Sequence, residues 1–578
     1  MRACFCLVLL SMTAAAQVGG NGGPVPNQNS PGTRASRPAT PSAPEDLCTV
    51  QGQVMNAATG EPLKKANLTL QRTDATPDMM SMPVSYSTTS DAAGKFAMKD
   101  IEAGKYRLSV NRNGFVTTAY GARAPNRPGT TLTLLKGQSA KDIVFKLTPH
   151  GVVTGRILDE DGEAIANVRV QLMNYRYQQG RKQLAYASGA SSDDLGQYRI
   201  FGVAPGKYYL SATFNPQSFG PVQDRSAAPQ PEEDYVPTYY PGTTEVATAA
   251  QLEVAPGGQV QGIDLKLTKA HTVHVKGHVA YTVPGKQRVM VYVFPRSGGM
   301  SGPIPLRPTQ PDAKGDFDLR GVAPGSYLVT AIINEGQKIY QGRSNVEVGN
   351  TNVENVSLMI GSGMEVTGQV TTEGPDTPDL SSARVFLQTR DNGIMFGAFS
   401  QARVEDGHSF KLPDVSAGVF TVILNGLPSG YYVKSIRSEQ TDVMVNGLNT
   451  ESPVAPLQVV LSPNAAQVSG TVQNHETGNA APGATVVLVP QEKERKELQN
   501  HYKQVSSDQN GSFTFKDVMP GEYKVYAWED LESGAYMDPD FMKPVEGKGE
   551  SLSLREKDQK AVQLTLIAAE SSGGKRGN

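Results

Sequence analysis

Cysteine is almost missing from this 578-residue chain: there are three, and two of them, Cys4 and Cys6, fall within the first sixteen residues. Those sixteen read as a secretory signal peptide. Arg2 gives a positive start, residues 3–12 an apolar run, and Ala14, Ala15 and Ala16 a small-residue cleavage site before Gln17. The run is far below the ~20 apolar residues that a bilayer requires, and no later stretch is continuously apolar for that length, so no transmembrane anchor is expected. Once the leader is removed only Cys48 remains. That excludes a disulfide framework within the chain and leaves each domain to its own apolar core. Charge of one sign is equally scarce. The net charge is −2 and no basic block occurs, which argues against nucleic acid or an anionic membrane as the main partner.

Catalytic constellations are lacking too. The seven histidines are His150, His271, His274, His278, His408, His475 and His501, and none has a Glu three residues on. Neither His-x-x-Glu nor His-Glu-x-x-His is present, so no zinc site is expected. His274 and His278 share a strand face about 13 Å apart, too far to hold one metal directly. Gly-x-Ser-x-Gly, the Walker loop and Gly-x-Gly-x-x-Gly are all absent. The run from Asp159 to Glu163 has the first ligands of a calcium loop but stops after two positions, and reads as a hairpin turn. No enzyme activity, cofactor or metal is expected.

What the chain does have is a signature that recurs five times: an aromatic, then Val or Ile, Gly and a second aromatic at fixed spacing. The copies are Phe96, Ile101, Gly104, Tyr106; Tyr198, Val203, Gly206, Tyr208; Phe317, Val322, Gly325, Tyr327; Phe410, Val415, Gly418, Phe420; and Phe513, Val518, Gly521, Tyr523. Each follows, by about 40 to 44 residues, a glycine among β-formers: Gly52, Gly155, Gly277, Gly368 and Gly470. Turns at Asp91/Gly94, Asp194/Gly196, Asp312/Gly315 and Asp508/Gly511 lead into the first aromatic strand. The strand after the second aromatic alternates strictly, as in Tyr106, Leu108, Val110, which means one buried and one wet face. Each unit closes on a triple alternation such as Ile143, Phe145, Leu147.

A period this long marks whole domains rather than solenoid units. Turn-rich composition, with 59 Gly and 39 Pro, and a near absence of helical pattern give an all-β fold: five tandem seven-stranded Greek-key sandwiches. The boundaries predicted are 1–16 signal, 17–47 flexible linker, 48–148, 149–268, 269–361, 362–462 and 463–568 for the sandwiches, and 569–578 a flexible tail. Short joints imply that consecutive units abut, and five end to end would make a rod of about 170 Å. The charged stretch 492–501 fits either a short helix or an irregular excursion.

The ordered string of opening glycine, turn, Asp-x-x-Gly, aromatic, Val, Pro-Gly and Tyr resembles the carboxypeptidase regulatory-like domain. That family belongs to the transthyretin-like, carbohydrate-binding-like (prealbumin-like) sandwiches and is related to the B-type repeats of collagen adhesins. The resemblance is strongest in units one, two and five. It implies a fold and an accessory role, not catalysis, since no catalytic domain accompanies the repeats. In the adhesin repeats it would also imply a Lys–Asn isopeptide cross-link; only the third unit offers the pair, Lys276 and Asn355, and none is expected.

Binding capacity is sought instead in aromatic loops. Tyr120, Tyr235, Tyr239, Tyr240, Tyr340, Tyr432, Trp528 and Tyr536 follow the corner aromatics, in loops that sandwiches gather at one end. Planar rings suit sugar C–H faces; the competing reading packs them onto the sandwich edge or into joints. The expectation is an exported, monomeric, non-catalytic binding or spacer protein of the cell envelope, periplasmic or at the cell surface, with polysaccharide or envelope proteins as partners. The alternatives are a scaffold or adhesion rod without ligand, and, more remotely, a regulatory subunit of a peptidase.

Overall fold

The computed structural model describes residues 44–569 except 74–83, 123–126, 128, 179, 215–232, 284–287, 297–305, 336–337, 376 and 391–399. The expected leader, most of the linker and nearly all of the tail lie outside the described residues. Five clusters of buried apolar side chains follow one another along the chain, within 48–147, 153–267, 273–360, 366–461 and 466–566. Around each of the first four, two sheets stack; in the fifth, pairing of Ala527 and Trp528 with Leu566 and Ile567 joins the two layers into one continuous seven-stranded sheet, and the chain is an array of tandem β-sandwiches.

The two landmarks of the repeat prove to be cross-strand partners. Gly52 faces Phe96, Gly155 faces Tyr198, Gly277 faces Phe317, Gly368 faces Phe410 and Gly470 faces Phe513, all in antiparallel pairs. On its other side the opening strand runs parallel to the closing strand, as Cys48–Asn56 does beside Ser139–Leu147. A Cβ at Gly52, Gly155, Gly277 or Gly470 would stand 1.9, 2.0, 1.9 or 2.1 Å from the carbonyl oxygen of Ile143, Ile263, Val356 or Val562. At Gly368 it would meet the Phe410 ring at 2.3 Å. Glycine is required here by close approach, because any side chain would force ring and closing strand apart.

The hairpin that carries the signature is fixed by side-chain hydrogen bonds. Ser90, Ser192 and Ser507 are buried; each hydroxyl donates to the carbonyl of Leu63, Ile165 or Ala481 and accepts the N–H of Ala66, Val168 or Ala484. The next residue builds the turn. Asp91, Asp193, Asp312 and Asp508 each accept two backbone N–H groups through Oδ1. In the second unit the turn aspartate is thus Asp193, not Asp194 as the spacing to Gly196 implied. Across the hairpin, the hydroxyls of Tyr106, Tyr208 and Tyr523 donate to carbonyls four residues back, at 2.8, 2.6 and 2.8 Å. A buried phenol needs such a partner.

Cys48 is buried in the first core, and its Sγ lies 2.9 Å from the Leu135 carbonyl. Lys276, considered for a cross-link, pairs instead with Glu354 at 3.3 Å. The stretch 492–501 forms one α-helical turn, Lys493–Lys496, and a 3-10 turn, Gln499–His501.

The short joints imply abutting units, end to end in a rod of about 170 Å. The structure departs from a simple rod: the fifth sandwich also meets the first and second. Arg127 pairs with Asp530 at 2.6 Å, and the Tyr177 ring meets Phe541 edge-on at 6.1 Å. Behind these contacts lies a second apolar cluster on the outer face of the fifth sandwich, built from Val487, Val489, Tyr526, Trp528, Tyr536 and Val545 among others, with Tyr177 of the second sandwich packed against it.

Trp528 is the chain's single tryptophan and is fully buried, so its fluorescence reports on the fifth sandwich. Gly470→Ala drives a Cβ into the Val562 carbonyl and the Phe513 ring. It is expected to destabilise that sandwich by about 3 kcal/mol, seen as a lower urea midpoint of Trp528 emission; an unchanged midpoint would show that the close approach is not structural.

Candidate functional site

A cleft of about 990 Å³ opens between three sandwiches. The second contributes the turn of its long hairpin, with Gly180 and Arg181; the fourth contributes the end of strand Arg384–Thr389 together with Arg390 and Thr421. The fifth supplies the 491–502 excursion, Tyr526 and the segment from Tyr536 to Glu546. This last segment exists because the chain does not return directly to the sheet after Trp528. It makes short turns at Ala535–Met537, Pro539–Met542 and Lys543–Lys548 first, with Asp538 capping the second of them through the N–H groups of Asp540 and Phe541.

The cleft walls are ordered by internal bonds. Arg390 donates from Nε to Thr421 Oγ1 at 3.1 Å, from Nη1 to the Val445 carbonyl at 2.7 Å and from Nη2 to the Met444 carbonyl at 3.0 Å. Its burial pulls the guanidinium below its ordinary pKa. Tyr502 donates to the Lys496 carbonyl at 2.8 Å and lies 5.5 Å from the Tyr536 ring. Tyr526 stacks on Trp528 at 5.2 Å and donates to the Glu546 carbonyl at 3.3 Å. Burial pushes the Tyr526 phenol up to about 12 and raises Tyr502 and Tyr536 as well, so all three remain neutral donors at physiological pH. Between them stand amide and hydroxyl side chains, Gln388, Gln491, Gln499, Asn500, Thr389 and Thr421.

Of the eight aromatic residues singled out in the sequence, only Tyr536 borders this cleft. Tyr239, Tyr340, Tyr432, Trp528 and Tyr536 are buried, and Tyr120, Tyr235 and Tyr240 are half-buried. Tyr120 packs edge-on against Phe145, Tyr239 beside Met173 and Leu184, Tyr240 against the second core and Tyr340 within the third. Two of them serve joints. Tyr235 donates to Glu160 at 2.6 Å and lies under Lys269, which also pairs with Glu160; these bonds hold the Glu160 carboxyl down at about 2. Tyr432 donates to Glu556 at 3.2 Å, from the fourth sandwich to the fifth. Of the residues that the loop reading missed, Tyr502 and Tyr526, the second had a signal. Tyr526 and Trp528 occupy the positions of their strand that alternation assigns to the wet face, and two large rings there announce a second burial.

No metal constellation is seen: among the described residues no three His, Cys, Asp or Glu side chains gather. His274 and His278 each bond a cross-strand aspartate, Asp318 and Asp316, at 2.9 Å. Asp159 accepts the N–H groups of Asp161 and Glu163, which makes that stretch a hairpin turn. Among the described residues no helix is long and apolar enough to cross a membrane.

The model of the carboxypeptidase regulatory-like domain matches residues 49–148 and 467–532, so the first sandwich and much of the fifth carry this domain. No curated protein matches the chain. Among solved structures, it is similar to the Bacillus anthracis TIE protein at 10% identity, over 91% of this chain and 75% of that one, with a TM-score of 0.16. It is similar to GBS52, the minor pilin of Streptococcus agalactiae, at 13% identity over 42% of this chain and 99% of that one, TM-score 0.23. BcpA, the major pilin subunit of Bacillus cereus, gives 14% identity over 72% and 99%, TM-score 0.14.

Beside the cleft, at the joint of the fourth and fifth sandwiches, burial and the charges of Arg495 and Arg390 lower His501 to about 4. The unfolded chain therefore binds more protons than the folded one between about pH 6.5 and 4, and stability falls as pH drops through that window. His501→Gln is expected to flatten this slope in the Trp528-monitored unfolding midpoint; an unaltered slope would show that His501 is not a source of it.

Proposed function

We propose that this chain is a non-catalytic, exported protein of the cell envelope whose assembled sandwiches hold a carbohydrate in the cleft between the second, fourth and fifth. The observation that carries the proposal is the lining of that cleft. Side-chain amides and hydroxyls of Gln388, Gln491, Gln499, Asn500 and Thr389 surround a floor that includes neutral tyrosines. Sugar hydroxyls need paired donors and acceptors of this kind, and a cleft of about 990 Å³ is at the upper end of the usual size for ligand sites. The absence of a nucleophile–base pair from the sequence motifs, and the accessory character of the matched domain, support a binding role over catalysis.

A second reading, a scaffold without small ligand, is favoured by the fate of the loop aromatics. Rings packed into cores and joints stiffen an array but offer no open platform. The two readings part in one experiment. Under the first, a panel of soluble polysaccharides in native affinity gels should retard the purified protein. Gln499→Ala with Asn500→Ala should abolish that retardation, while Tyr239→Ala should lower stability without changing it. Absence of retardation by every polymer would leave the scaffold reading in place.

A further inference from the structure

The cleft differs from the rest of the molecule in charge. The whole chain carries −2, yet five cations converge here: Arg181, Arg390, Lys493, Lys496 and Lys543. They face three carboxylates, Glu497, Asp540 and Glu546, so the cavity holds an excess of two positive charges. Arg390 is committed to the fold by its three hydrogen bonds. The other four are not committed. Arg181, Lys493, Lys496 and Lys543 make no ion pair among the described residues; the ion pair found in the 492–501 excursion is Glu492 with Arg495.

These cations also come from separate parts of the chain. Arg181 belongs to the hairpin of the second sandwich, Lys493 and Lys496 to the short helix of the fifth, and Lys543 to its outer segment. Like charges brought together by tertiary packing repel one another; the three carboxylates offset part of this, and counter-ions or an anionic ligand relieve the excess. Amides beside them are suited to hydroxyls, not to a second protein's apolar surface. We infer that the cleft takes an acidic glycan, a polymer whose sugar rings bear carboxylate groups. The hydroxyls meet Gln491, Gln499 and Asn500, and the carboxylates meet Lys493, Lys496 and Arg181. This inference rests on the carbohydrate reading above and adds the charge class of the sugar. It also makes occupation dependent on assembly, because Arg181 reaches the cleft only while the second sandwich rests on the fifth.

The test compares polygalacturonate, its fully methyl-esterified form and duplex DNA, using the full-length exported chain in native affinity gels. The expected result is retardation by polygalacturonate alone, weakened by salt. Lys493→Gln with Lys496→Gln should reduce the apparent affinity about tenfold, and Arg181→Gln should reduce it further. Unchanged Trp528 emission would show that these exposed substitutions leave the fold intact. Equal retardation by the methyl ester, still lost in the Gln499→Ala, Asn500→Ala variant, would overturn the charge class and leave the carbohydrate reading standing. Equal retardation by DNA would overturn the inference by showing a general polyanion effect. No retardation by any polymer, acidic or neutral, would overturn both.

Discussion

The contact on which each sandwich depends is that of an aromatic ring lying across a glycine in the neighbouring strand. In all five copies the glycine is flanked on the far side by the closing strand, running parallel and so near that four of the five sites have a carbonyl oxygen where a Cβ would be. One residue thus sets three things at once: the register of the aromatic strand, the approach of the closing strand, and the cover that the ring gives to an otherwise bare stretch of backbone. Register slips are costly where one face is buried, since a shift by one residue would turn the whole apolar set outward. The interval of about 40 residues between glycine and aromatic is therefore the length of chain needed to leave the sheet, cross to the other layer and come back to the same rung.

This is why so much of the fold is legible in the sequence. Period-two alternation in Tyr106, Leu108 and Val110 states which face is buried, and all three prove to be core. The turn chemistry is local as well, apart from the second unit, where of two adjacent aspartates the spacing to Gly196 points to Asp194, whereas hydrogen bonding selects Asp193, the one that follows Ser192. The buried serine itself carries no periodic signal, because a small polar residue before a turn looks the same whether it bonds to water or to two backbone groups across the hairpin.

The candidate site was far less legible. A cleft assembled from the hairpin turn of one domain, a strand end of another and a turn-rich excursion of a third leaves no spacing to recognise. Aromatic residues in loops mislead for a related reason: a ring after a corner strand can cover its own sandwich more cheaply than it can wait in water, and Tyr120, Tyr239 and Tyr340 do so. The more informative sign was a violation of pattern. Thr485–Pro490 is apolar at nearly every position and buried at all six, as a strand covered on both faces must be.

In the fifth sandwich that double burial has a consequence for assembly. Its inner face closes a core like the others, while its outer face, through Tyr526 and Trp528, gathers a second core that reaches Tyr177 of the second sandwich. Folding and assembly therefore draw on different surfaces. Each sandwich has its own ring, glycine and apolar interior and needs no neighbour to satisfy them. The cleft, in contrast, has no wall that belongs to all three contributors. It exists only where outer-face packing brings a hairpin from the second sandwich over the fifth, so the same contacts that depart from the simple file of domains also build a cavity where amides, neutral tyrosines and cations without an ion pair among the described residues meet.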